Sequence, residues 1–288
     1  MAYPFLEVIA REALYEVFSQ GSLINTVARD FEGDVASQGE SVTIILPETP
    51  AMQDAGAAFA SNAAAPTTVT LTLDKCRETK ALRVDMKTLS LADRNVLAQY
   101  AHPIAEAIRT DLESAILVEL AKFTEITGDA AGTKVPTGID GVAVAQKVKF
   151  DELLAPLGNR YVVAGPSLES EYWQVFGIQS NSGDPGVAEQ IKGLMGERLG
   201  MSFIANASAE SGVRLGFGYH RNAIALATRP MKVSDLAPQT MTTVSANGLG
   251  LTLEAWHDPN TSADYIRGQV LYGLKALTSK GFKVNKTA

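Results

Sequence analysis

The feature that most constrains this chain is a single helical periodicity running through its middle third. Leu97, Tyr100, Ile104, Ile108, Leu112, Ala115, Leu120 and Phe123 recur at the spacing of one helix face, and Ser90 followed by Asp93 supplies a hydroxyl cap and a first-turn carboxylate. The pattern predicts a helix from Ser90 to about Thr127. Pro103 falls inside it, and because the periodicity resumes in phase beyond, the proline should kink the axis rather than end the helix. Some ~34 residues at ~1.5 Å each make a rod of about 50 Å. A compact sphere of 288 residues would be only about that wide. Such a helix spans the whole subunit, which suits a flat, extended shape.

The flanking segments divide in type. Phe5, Leu6, Ile9, Ala13, Leu14, Val17 and Phe18 give an amphipathic N-terminal helix stopped at Gly21. Its apolar face must dock on the chain's own core or on a neighbouring subunit. SVTIIL at 41–46 and VTLTL at 69–73, the latter continuing to Val84, read as the arms of a long hairpin. Between them, 48–68 holds eight alanines, two prolines and only Met52 and Phe59 as large apolar groups. That connection cannot build its own core, so it needs a partner to become ordered.

Gly128–Gly141 is a glycine-rich boundary. Beyond it we expect a short helix near 151–157, a strand at 161–164, a helix over 167–176, a glycine-punctuated loop at 177–186, a short helix near 187–195 and a strand at 201–205. Strands dominate after His220, with 250–256 and 265–277 as antiparallel neighbours joined across Asp258, Pro259 and Asn260.

Chemistry is hard to find in this sequence. His102, His220 and His257 stand in no metal-binding frame, and Gly128–Lys134 fails the phosphate-loop spacing. Ser167 lacks the second glycine of a nucleophile elbow and reads as a helix cap. Asp111, Glu113, Glu119 and Glu125 read as a solvated helix face, and Tyr172, Trp173 and Phe176 as core. The single cysteine, Cys76, reads as a half-buried strand residue and excludes an intrachain disulfide. The asparagines of the three Asn-x-Ser/Thr triplets, Asn206, Asn260 and Asn285, read as chance matches. No cofactor or metal is expected, and no enzyme activity. Lys and Arg total 25 against 32 Asp and Glu, a net charge of −7 with no basic cluster, so the chain is not expected to grip nucleic acid. No apolar run approaches a membrane span, and Met1–Arg11 lacks the features of a secretory signal.

Five segments in order resemble one family. VARDFEGDVASQGESVTIIL at 27–46, above all Arg29–Gly33 and then Gly39 entering a strand, is similar to the N-terminal region of tailed-bacteriophage major capsid proteins. The long helix, RYVVAGP at 160–166, GYHRNAIALA at 218–227 and VLYGLKA at 270–276 continue the resemblance. It implies an α+β fold with an N-terminal arm and lead-in (1–40), an extended β-hairpin loop (41–84) and a peripheral domain on a spine helix (85–140). An axial domain (141–244) and strands returning to the peripheral domain (245–288) would follow. It also implies self-assembly into an icosahedral virion shell of hexamers and pentamers around double-stranded DNA, formed in the host cytoplasm. Scaffolding, portal and decoration proteins would be accessory partners. The subunit-contact candidates are Phe5 and Ile9 in the arm and Met52, Ala57, Ala58 and Phe59 in the loop. Some relatives weld subunits through a loop lysine, but no Lys occurs between Arg29 and Lys75, so contacts here should be noncovalent. The alternatives are an encapsulin-type nanocompartment shell and, more remotely, a cytosolic enzyme with a site near Trp173 or His220.

Overall fold

The computed structural model describes residues 4–18, 23–29, 41–46, 67–84, 94–126, 141–178, 196–231, 241–261 and 263–285, with positions 52, 54 and 55. Two amphipathic helices, α1 (Pro4–Val17) and α2 (Arg94–Leu120), lie on one face of a mixed-length antiparallel sheet. Its backbone is β13 (Ala263–Ala276), which pairs with β12 (Leu249–Asp258) along its first half and with β10 (Ile224–Arg229) along its second. The opposite side of β13 takes β3 (Lys75–Glu78) and β4 (Leu82–Val84), and β11 (Met241–Ala246) pairs with β12 at the outer edge. Helix and sheet meet closely: a Cβ on Gly268 would stand 2.7 Å from Ile104 Cγ2, so only glycine lets α2 approach β13 there.

A second sheet has the order β5-β14-β9-β6-β8-β7, from β5 (Thr124–Ile126), β14 (Gly281–Asn285), β9 (Arg214–His220), β6 (Arg160–Ala164), β8 (Met201–Ala205) and β7 (Glu197–Arg198). Strand alternation gives this sheet two buried faces. Val163, Phe217 and Tyr219 join the core around α2. Val162, Ala164, Phe282 and Val284 join a separate core with Phe150 of α3 (Gly141–Glu152) and Leu168 and Tyr172 of α4 (Pro166–Ile178). Gly218 lies under the Phe282 ring, which a Cβ would meet at 2.2 Å.

The expected hairpin is present as β1 (Ser41–Leu46) against β2 (Thr67–Thr72), with Ser41 opposite Thr72 and Leu46 opposite Thr67. Val42, Ile44, Leu71 and Leu73 seat its base on Ala225 and Ala227 of β10.

Several expectations change. The long helix, whose 27 described residues make about 40 Å at ~1.5 Å per residue, stops at Leu120 rather than near Thr127, because 124–126 pairs in parallel with β14. Pro103 lies within this helix, while Ser90 and Asp93 lie outside the described residues. The helix expected near 151–157 occupies 141–152 instead. Strands β10 and β11 belong to the first sheet, and β14 lies in the second between β5 and β9. Cys76 is exposed on β3 rather than half-buried. The segments 127–140 and 179–195, including the Gly128–Lys134 motif, lie outside the described residues.

Candidate subunit-contact surfaces

The N-terminal helix settles on its own chain. Leu6, Ile9, Ala10, Ala13, Leu14 and Val17 are all buried against α2, β11 and β12. Ile9, expected at a subunit contact, has no exposed surface, and its side chain belongs to the protomer's own core. Phe5 lies in α1 with its side chain outside those described, as are Ala57, Ala58 and Phe59. Met52 is 97% exposed and therefore available to a neighbour.

Behind α1 the chain is tied down by a polar junction. Glu113, expected on a solvated face, is 8% exposed. Its carboxylate accepts the Leu23 amide at 3.2 Å, the Arg109 Nε–H at 3.2 Å and the Asn206 amide at 3.0 Å. One side chain of α2 thus joins the N-terminal segment to the 206–214 connection of the second sheet. Thr26 hydrogen-bonds the Tyr219 hydroxyl, whose ionisation burial makes harder. The segment then docks on the start of β10, with Ala28 N donating to Ile224 O at 3.1 Å and Leu226 N to Ala28 O at 2.9 Å. Asp111 and Glu119 are engaged too, the first accepting the Tyr272 hydroxyl at 2.6 Å and the second pairing with Lys122. Glu125 pairs with Lys283 at 2.8 Å, which draws its carboxyl below the usual range.

The residues weighed for chemistry serve the fold. His102 bonds Glu16 across α1 and α2, which raises its pKa; His257 meets Asp264 at 2.7 Å. His220 accepts the Asn222 amide at 3.2 Å, and burial holds its ring neutral more strongly than usual. Ser167 lies in the first turn of α4, where its amide and hydroxyl both donate to Glu210 at 2.9 and 2.6 Å. Glu210 thereby caps a helix from another loop. Tyr172 is buried and donates to Gln146 at 2.5 Å, and Trp173 packs partly against the same core. Among the described residues no group of three or more His, Cys, Asp or Glu could hold a metal ion, and no helix is long and apolar enough to cross a membrane.

The sequence reading missed one surface. Val144 and Val148 on α3 are half exposed, and Leu154 and Leu157 just beyond are 81% and 80% exposed. The turn that carries them is rigid. Leu154 N donates to Asp151 O and Ala155 N to Phe150 O, each at 3.0 Å, the paired closure that ends a helix with one left-handed residue. That residue is Leu154, with φ of 48°. A leucine there costs ~1 kcal/mol relative to glycine. Buried Arg160 then clamps the turn, donating to Ala155 O at 2.5 Å and Pro156 O at 3.0 Å, and pairing with Asp151 at 2.9 Å. Its guanidinium lies 5.3 Å above the Phe150 ring and, with Lys147, draws the Asp151 carboxyl below its usual range.

On the other side of the second sheet, α2 and the 206–214 connection enclose an open groove of about 390 Å³. Leu117, Val118 and Ala121 line it together with the polar groups Thr110, Glu113, Ser114, Ser208 and Arg214.

No protein-family model matches this sequence. No curated protein matches it either. Solved structures do. A chain of Mycobacterium phage Che8 superposes with a TM-score of 0.65 and 22% identity, over 92% of this chain and 91% of that one. The Cyanophage A-1(L) capsid asymmetric unit gives 0.57 at 10% identity over 96% and 92%, and the capsid of the empty GTA particle 0.56 at 12% over 94% and 91%. The likeness extends over more than nine-tenths of each chain, and it gives this chain the α+β fold of phage capsid proteins.

Proposed function

We propose that this chain is a major capsid protein, a structural subunit that self-assembles into the icosahedral shell enclosing a phage double-stranded DNA genome. The observation that supports this reading most is the fold likeness to phage capsid chains over more than nine-tenths of both partners. The division of surfaces agrees with it. Ionisable groups in the described cores are engaged in holding helices, turns and segments together, while large apolar groups at Met52, Leu154 and Leu157 face outward. Neither the encapsulin-type alternative nor the enzyme alternative has a specific observation in its favour.

In this reading the hexamers and pentamers of the shell are held by noncovalent contacts, with Met52, Ala57, Ala58 and Phe59 of the loop lying on a neighbour. The net charge of −7 suits a wall that encloses DNA without gripping it. Light scattering after gel filtration, with negative-stain images of the fast fraction, tests the proposal on protein coexpressed with its neighbouring genes. Megadalton spheres or capsomer rings are expected. A monomer that persists under coexpression overturns it.

A further inference from the structure

We infer that the crossing between the two sheets is a pH-sensitive joint, closed while His220 is neutral and opened when its buried ring takes up a proton. The inference stands apart from the shell reading, since it concerns the single chain. Geometry carries it. The chain passes between the sheets at 220–224, from β9 to β10, and again at 276–281, from β13 to β14. The two passages lie side by side, with Tyr219 opposite Gly281 and Ile224 opposite Ala276. Between those pairs, His220 N donates to Lys280 O at 3.0 Å and Leu277 N to Ala223 O at 2.8 Å. The first passage makes one short helical turn, Arg221–Ala223, and Arg221 N ties it to Asn159 O at 3.0 Å just before β6. His220 caps that turn, its Nδ1 accepting the Asn222 amide at 3.2 Å. A few residues at strand ends thus hold two sheets together, the usual make-up of a hinge.

An imidazole nitrogen that accepts a hydrogen bond cannot carry a proton, so this cap and a charged ring exclude each other. His220 is only 5% exposed, which leaves a charged ring almost no water. Its surroundings are cationic. Arg160 stands opposite it on β6, Lys280 lies on the second passage, and Arg221 follows it in the chain. Asp151 of α3 is already engaged by Arg160 at 2.9 Å, and among the described residues no carboxylate draws charge onto the ring. His102 and His257 differ, since each meets a carboxylate that protonation would bind more strongly. Burial first, then the charges of Lys280 and Arg160, hold the His220 pKa below 6.5. A lowered folded pKa means that the stabilisation is complete above the unfolded value and is lost as pH falls toward the folded one. Acidification below 6.5 therefore frees the Asn222 amide and parts the two passages, while α2 still packs on Val163, Phe217 and Tyr219 of the second sheet.

Hydrogen exchange on the full, unassembled chain between about pH 8 and about pH 5 tests this, each rate being divided by its intrinsic rate at that pH. The amides of His220, Asn222 and Leu277 should lose up to about tenfold in protection per pH unit below 6.5, while those paired between β12 and β13 keep theirs. His220→Asn sets a carbonyl oxygen where Nδ1 stood, a good cap that does not titrate, and should abolish the loss. Unchanged protection in the unsubstituted chain, an equal loss in His220→Asn, or a loss spread evenly through β12 and β13 would overturn the inference. Should His220→Asn not fold, NMR titration of the unsubstituted chain decides. A His220 ring that titrates below 6.5 is expected, and one that titrates at or above 6.5 overturns the joint.

Discussion

Two apolar surfaces of this molecule have opposite fates. Helix α1 presents six apolar residues at helical spacing and buries every one of them on α2, β11 and β12 of its own chain. Along α3 and the turn that Arg160 clamps after it, Val144 and Val148 stay nearly half exposed and Leu154 and Leu157 about four-fifths exposed. The first surface stabilises the protomer, with full burial of Leu6, Ile9, Leu14 and Val17 worth about 1.5–3 kcal/mol each. The second contributes almost nothing to the protomer and carries backbone strain at Leu154. An amphipathic pattern therefore states that a face needs a partner, and only the fold states whether that partner is the same chain.

The comparison breaks most readily at α1. Ile9→Ala should lower the unfolding free energy of the isolated chain by about 2–5 kcal/mol. Denaturant titration of monomeric protein reads this directly, and an unchanged midpoint would place α1 on a neighbour instead. Glu113→Ala probes the same attachment through its polar half. It leaves the Leu23 and Asn206 amides and Arg109 without their acceptor, for a loss on the order of 3 kcal/mol. Hydrogen exchange at residues 23–28 should accelerate in that variant, and unaltered protection there would remove Glu113 from the junction.

The exposed surface responds differently. Leu154→Gly should leave the monomer as stable as before or up to ~1 kcal/mol more stable, because glycine adopts the left-handed position freely. Destabilisation by more than that in the same titration would mean the leucine packs into its own protomer. The smallest effect belongs to the pair on the outside of α1. The hydrogen bond to Glu16, helped by the charge of Glu106, raises the pKa of His102 above 6.5. A raised folded pKa means the stabilisation is complete below the unfolded value and fades as pH rises through the folded one. The unfolding midpoint should thus decline slightly as pH climbs above about 6.5, more at low salt, and His102→Gln should flatten that slope. An identical slope in the variant would show that the pair contributes nothing.

How much of this was legible in the sequence follows from how local each signal is. Periodicity revealed α1, α2 and β1 with β2, each of which has one buried face, while β12 and β13 were legible as long strand-forming runs buried on both faces along much of their length. Helix α3 was displaced by several residues because Val144 and Val148 lie opposite Ala143, Gln146 and Phe150, which blurs its periodicity. Those two valines are the same residues that help form the exposed surface. Glu113 read as solvated because its partners Leu23 and Asn206 stand 90 and 93 residues away. Sheet membership of β10 and β14 was hidden for the same reason, as their partners β13 and β9 stand far away in sequence, whereas β11 pairs locally with β12 across Asn247 and Gly248. Of the contact candidates, Met52 has the exposed surface a contact needs, Ile9 does not, and Ala57, Ala58 and Phe59 lie outside the described residues.

The most direct test of the account is a cryo-electron microscopy reconstruction of particles formed by this chain. The account predicts a closed icosahedral shell in which every subunit keeps α1 packed on its own α2, β11 and β12. Particles with α1 exchanged onto a neighbour, or the absence of any closed shell, would contradict it.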